Sequence, residues 1–195
     1  ALLGRLELRA RPDVPLLVMP GPLDEDRGAE LLLETLPRLP LDRMQMVFWG
    51  DASPEMAERL REAQNNTSGV IVHRPMLDTE TTHNLLAGAD AVLLPAQHEP
   101  SGLLLLKALR YGAVPVGRGV GAFKEAVVDF DRASRTGTGF CFEQWEPQAL
   151  DAAVQRFLEV FRKPELMQSL VRNAMAQQYP WRQSALLYKK IYEGS

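Results

Sequence analysis

Residues Gln97–Gly121 read QHEPSGLLLLKALRYGAVPVGRGVG, and the order of elements in this stretch decides the fold. A hydrophobic strand, Ala91–Ala96 (AVLLPA), runs into it. A turn follows, then a helix predicted from Ser101 to Tyr111, opened by small residues and closed at Gly112. A short strand at Val114–Val116 and a glycine-bearing turn complete the unit. Strand, turn and helix in that order suit an anion. The amides that open a helix have no intrahelical acceptor and lie at the positive end of its dipole. Ser101 and Gly102 are small enough to let a phosphate approach those amides. Glu99 is expected at the mouth of a crevice at the carboxyl ends of the strands, where α/β sheets hold ligands. From the residues alone, Glu99 reads equally as an exposed loop carboxylate that complements the helix dipole.

Outward from this unit, strands and helices alternate. Upstream, strands are expected at Leu16–Met19, Met44–Trp49 and Gly69–Arg74. The helices between them are expected at Ala29–Leu39, with Pro37 marking the end, from Pro54 to the Asn65-Asn66 turn, and at Thr79–Ala87. Downstream come a helix at Ala122–Val128, an edge strand at Phe140–Phe142, and helices at Pro147–Phe161, Pro164–Gln177 and Trp181–Tyr192. This rhythm predicts an α/β fold, a Rossmann-like parallel sheet with helices on both faces. The length suits one domain over residues 1–195. No G-x-G-x-x-G follows the first strand, so the dinucleotide fingerprint of dehydrogenases is lacking.

Composition narrows the function. With 22 basic against 25 acidic residues the net charge is -3, which leaves no electrostatic footprint for nucleic acid. Apolar runs such as Leu103–Leu106 are too short to cross a bilayer. A lone Cys141 excludes an internal disulfide framework, and with no secretory signal leading the chain a cytoplasmic protein is expected. Between two phenylalanines, Cys141 reads as core rather than nucleophile. His73, His83 and His98 lack tight metal-ligand spacing, so no metal site is expected. The absence of an initiator methionine at Ala1 points to a fragment of something longer.

The run HEPSGLLLLKALRYGAVPV (98–116) resembles the EPCGLTQLYALRYGTLPIV signature of bacterial glycogen and starch synthases, retaining glycosyltransferases of the GT-B architecture. The resemblance extends over nearly the whole chain as their C-terminal, nucleotide-sugar-binding half. It implies ADP-glucose or UDP-glucose as the donor, no cofactor, and an α-1,4-glucan acceptor held by an N-terminal domain absent from this chain. Glu99 then faces the transferred glucose, and the helix start at Ser101, Gly102, Leu103 and Leu104 takes the diphosphate, with Gly21 and Gly121 lining the crevice. His83 matches a histidine common in those enzymes.

Several positions depart from the pattern. The family's SRLTxQKG loop appears as GPLDEDRG at Gly21–Gly28. Pro22 stands for an arginine and Arg27 for a lysine, the two cations that neutralise the leaving diphosphate. Asp24, Glu25 and Asp26 are expected to repel a phosphate at close range. Leu77 replaces the tyrosine that stacks on the base, Leu104 a threonine, and Lys107 a tyrosine or a ribose-binding glutamate. Lys107 reaches phosphate or ribose, or snorkels to solvent. Three functional readings stay open: the donor-binding half of an active transferase, a catalytically degenerate domain with a glucan-binding, regulatory or assembly role, or a stand-alone glycosyltransferase with an unusual donor. The C-terminal helices 164–195, with Trp181 and Tyr188, either pack on this domain or dock on the absent one.

Overall fold

The computed structural model describes residues 11, 13–67, 71–75 and 78–194. Six strands, β1 (Leu16–Pro20), β2 (Gln45–Trp49), β3 (Ile71–Arg74), β4 (Ala91–Leu94), β5 (Val114–Arg118) and β6 (Phe140–Phe142), form one sheet in the order β3-β2-β1-β4-β5-β6. Every neighbouring pair is parallel, with Leu17 opposite both Met46 of β2 and Ala91 of β4. Successive side chains point to opposite faces of a strand. Leu17 and Met19 therefore join one apolar cluster, while Leu16 and Val18 join the other. A sheet buried on both faces explains strands written as unbroken apolar runs rather than alternating ones.

The helices supply the two covering layers: α1 (Ala29–Thr35), α2 (Pro54–Asn66), α3 (Thr79–Gly88), α4 (Leu103–Tyr111), α5 (Gly121–Ala126), α6 (Pro147–Phe161), α7 (Pro164–Met175) and α8 (Trp181–Glu193). On one face lie Leu31 and Leu32 of α1, Leu60 of α2, Phe157 of α6 and Leu170 of α7. On the other lie Leu85 and Leu86 of α3, Leu105 and Leu109 of α4, and Phe123 of α5. This is the doubly covered parallel sheet expected from the alternation of elements. Among the described residues, no helix is long and apolar enough to cross a membrane.

Element ends shift for local reasons. α4 opens at Leu103 rather than Ser101, because Gly102 takes the N-cap position outside the helical region. α1 stops at Thr35 and tightens into a 3-10 turn over Leu36–Arg38, where Pro37 lacks the amide that an α-helix needs. α5 runs from Gly121 to Ala126, shorter than expected and shifted upstream. The expected strand start at Gly69, and Leu77, lie outside the described residues.

The C-terminal segment divides in two. α7 buries Leu166, Ser169, Leu170 and Ala174 and packs on α4 and α6. α8 buries none of its described side chains, with Trp181 88% and Ile191 70% exposed.

Candidate functional site

The chain leaves β1 for α1 on one face of the sheet and leaves β4 for α4 on the other. Adjacent strands whose connections part in this way open a crevice at their carboxyl ends. A cleft of about 310 Å3 lies there, lined from the β1–α1 loop by Gly21, Pro22 and Arg27, and from the β4–α4 turn by Glu99 and Ser101. Leu103, Leu104 and Lys107 of α4 complete that side.

Glu99 is the best-held side chain in the cleft. It is 6% exposed, and both carboxylate oxygens are engaged. Oε1 accepts from the Gly102 amide at 2.9 Å, and Oε2 accepts from Arg27 Nη1 at 3.1 Å. Its carbonyl accepts from the Ala122 amide at 2.9 Å. Gly121, at φ +49, allows that approach, since a Cβ there would fall 2.2 Å from the Glu99 carbonyl oxygen. Gly121 therefore seats the backbone of Glu99 and is not among the residues that line the cleft.

Arg27 is aimed by its loop. Gly28, at φ +82, sits against the end of β4, where a Cβ would meet the Pro95 carbonyl oxygen at 2.2 Å. The Gln97 amide donates to the Asp26 carbonyl at 2.8 Å, and the Arg27 amide donates to Asp24 Oδ1 at 2.8 Å. These bonds tie the β1–α1 loop to the β4–α4 turn and bring Arg27 beside Glu99.

The open amides of α4 start at Leu103, two residues after Ser101, where the sequence led one to expect an anion-binding helix start. The Gly102 amide is spent on Glu99. The Leu103 amide reaches Ser101 Oγ only at 3.5 Å, and the first intrahelical bond runs from Leu106 to the Gly102 carbonyl. The amides of Leu103, Leu104 and Leu105 thus occupy the first turn, which has no intrahelical acceptors. Leucine at 103 and 104 does not close the site, because Leu103 is 60% exposed and both line an open cleft.

The expected repulsion from Asp24, Glu25 and Asp26 is not built into the cleft. None of the three lines it, and Asp24 and Glu25 instead border a separate groove with Glu30, Glu55 and Arg59. Asp24 closes the loop on itself, its carbonyl accepting from the Ala29 amide at 3.1 Å. Pro22 lines the cleft and offers no donor, so among the described residues the cations at its wall are Arg27 and Lys107. His83 is not among the lining residues; its Nδ1 lies 2.7 Å from the Tyr111 hydroxyl.

Sequence reasoning missed the α3 wall, where Asp78, Thr79 and Thr82 line the cleft. Asp78 Oδ1 accepts from the Thr81 amide at 2.8 Å and caps α3. The Thr81 hydroxyl and amide hold the Asp78 carboxyl below its ordinary range. An Asp directly before a helical run is a legible N-cap signal. That the cap also faces a ligand cleft depends on the sheet order. Among the described residues, no group of three or more His, Cys, Asp or Glu comes together as a metal centre would require.

Residues 5–177 match the family Glycosyl transferases group 1. The chain is 39% identical over 192 residues to the glycogen synthase of Anaeromyxobacter sp. (strain Fw109-5), covering 98% of this chain and 40% of that protein. It is 34% identical over 192 residues to the chloroplastic/amyloplastic starch synthase 2 of Arabidopsis thaliana, covering 98% of this chain and 24% of that protein. Among solved structures, the catalytic domain of starch synthase IV from Arabidopsis thaliana bound to ADP and acarbose superposes with a TM-score of 0.86 at 25% identity, covering 98% of this chain and 41% of that one. The chain thus spans about two fifths of the bacterial glycogen synthase that it matches.

Proposed function

The chain belongs to the Glycosyl transferases group 1 family, and from that premise we propose that it is the C-terminal, donor-binding domain of a retaining glycosyltransferase of the glycogen and starch synthase type. The whole protein transfers glucose from ADP-glucose or UDP-glucose to the end of an α-1,4-glucan, with no cofactor beyond the donor. The diphosphate rests on the Leu103–Leu105 amides with Arg27 and Lys107 beside it, and Glu99 meets the sugar. The acceptor and the remaining catalytic groups belong to an N-terminal domain outside this chain, on which α8 docks. The isolated domain therefore binds donor without transferring it. A cytoplasmic location belongs to the same proposal and is supported by a lone Cys141 in place of a disulfide framework.

One observation carries the reading: the Glu99–Arg27 pair stands at an open helix N-terminus where the connections of β1 and β4 part. The ADP found in the starch synthase IV structure makes a nucleoside diphosphate the ligand to try first. Calorimetric titration of the chain with ADP-glucose and UDP-glucose tests it. One donor is expected to bind saturably, and Arg27→Ala is expected to weaken it roughly tenfold or more. No heat and no thermal shift at millimolar donor overturns the reading.

A second reading, a catalytically degenerate domain with a glucan-binding, regulatory or assembly role, is favoured by Pro22 and Leu104, which line the cleft without the polar groups that the resembling enzymes place there. Pro22→Arg with Leu104→Thr in the full-length protein separates the two. Transfer activity that appears only in the double variant supports degeneracy, and activity already present in the natural protein excludes it.

A further inference from the structure

A diphosphate entering the cleft meets a carboxylate as well as a cation. Among the described residues, the charged side chains that line the cleft are Arg27 and Lys107 against Glu99 and Asp78, two of each sign. These four side chains balance in charge, and the attraction comes from the α4 amides and the N–H groups that Glu99 leaves open on Arg27. Glu99 holds Arg27 through one nitrogen, Nη1, at 3.1 Å. With Glu99 only 6% exposed, its negative charge is poorly screened and acts directly on any phosphate drawn to the same guanidinium.

A bare nucleoside diphosphate and one carrying a sugar meet this carboxylate differently. The bare form ends in a phosphate of higher charge and brings no donor for Glu99, which as an anion only accepts. The sugar-bearing form masks that terminal charge and brings hydroxyl donors. A hydroxyl that donates to a shielded carboxylate makes a charge-assisted bond, stronger than a neutral one. Building on the donor-site reading above, we propose that Glu99 determines specificity against the bare nucleoside diphosphate. Its carboxylate competes with an unglycosylated diphosphate for Arg27, and this favours release of the spent nucleotide. The sugar nucleotide is retained because its hydroxyls take up the carboxylate.

Calorimetric titrations of the 195-residue chain and its Glu99→Gln variant with ADP, ADP-glucose, UDP and UDP-glucose test this. Glutamine keeps an acceptor for the Gly102 amide and removes the charge. The natural chain is expected to hold a sugar nucleotide more tightly than the matching bare one. In Glu99→Gln the bare nucleotide is expected to gain roughly three- to tenfold while the sugar nucleotide weakens, so that the preference collapses or inverts. A variant that binds the bare nucleotide no better than the natural chain overturns the proposal and leaves the donor site standing. Silence from all four ligands on both chains removes the donor site and the proposal together. Should the variant fail to fold, the natural chain decides alone: a bare nucleotide bound as tightly as its sugar form overturns the proposal.

Discussion

At the scale of single residues, the site rests on glycines chosen for contact rather than for flexibility alone. Gly121 presses on the Glu99 carbonyl, so Gly121→Ala combines a steric clash with an unfavourable backbone angle. A loss of about 1–3 kcal/mol is expected by denaturant unfolding, with nucleotide binding weakened because Glu99 must move. Cys141 gives a pH-dependent test. Burial first, and then the nearby Asp129 carboxylate, raise its thiol from 9.0 to about 11, with Arg156 opposing. Because the folded state holds this proton more tightly than the unfolded one, its stabilising contribution is complete below pH 9 and is lost as the pH rises toward 11. At pH 8 the native thiol is expected to react slowly with iodoacetamide, and quickly once urea unfolds the chain.

The elements were legible to different depths. The unbroken apolar runs of β1 and β4, the largely apolar β2, and the helices between them pointed to a parallel sheet, because such strands are buried on both faces. The start of α4 was legible only to within two residues. Glu99 takes the Gly102 amide on one carboxylate oxygen and Arg27 on the other, and Arg27 lies 72 positions away in sequence. The same distance in sequence hid the placement of this loop: three carboxylates stand next to Arg27 in the chain, yet none of them lines the cleft, and Asp24 and Glu25 border a separate groove. Asp78 and Thr82 went unread as site residues, since no local pattern says which helix will face a crevice across the sheet. α4 also offers a test of its two faces. Leu105→Ala, at a fully buried position, is expected to cost about 2–5 kcal/mol in denaturant unfolding, whereas Leu103→Ala, on the cleft side, is expected to stay within about 0.5 kcal/mol.

Across the whole molecule, the two apolar layers close around the sheet without help from α8. α7 is part of that closure through Leu166 and Leu170, whereas α8 presents Trp181, Tyr188, Ile191 and Tyr192 to solvent. A 13-residue helix gains little stability in water without packing. Removing residues 181–195 is therefore expected to shift the unfolding free energy by about 0.5 kcal/mol or less, measured by urea titration of both chains. A large loss would mean that α8 supports the domain's own core.

The central claim is that the amides opening α4 hold a diphosphate beside Arg27, and nuclear magnetic resonance observes those amides directly. In a titration of the 15N-labelled chain with ADP, the largest shifts are expected at the backbone amides of Leu103, Leu104 and Leu105 and at the Arg27 side chain, saturating together. Saturable shifts confined to the groove of Asp24, Glu30 and Arg59, or an unchanged spectrum at millimolar ADP, would contradict the account.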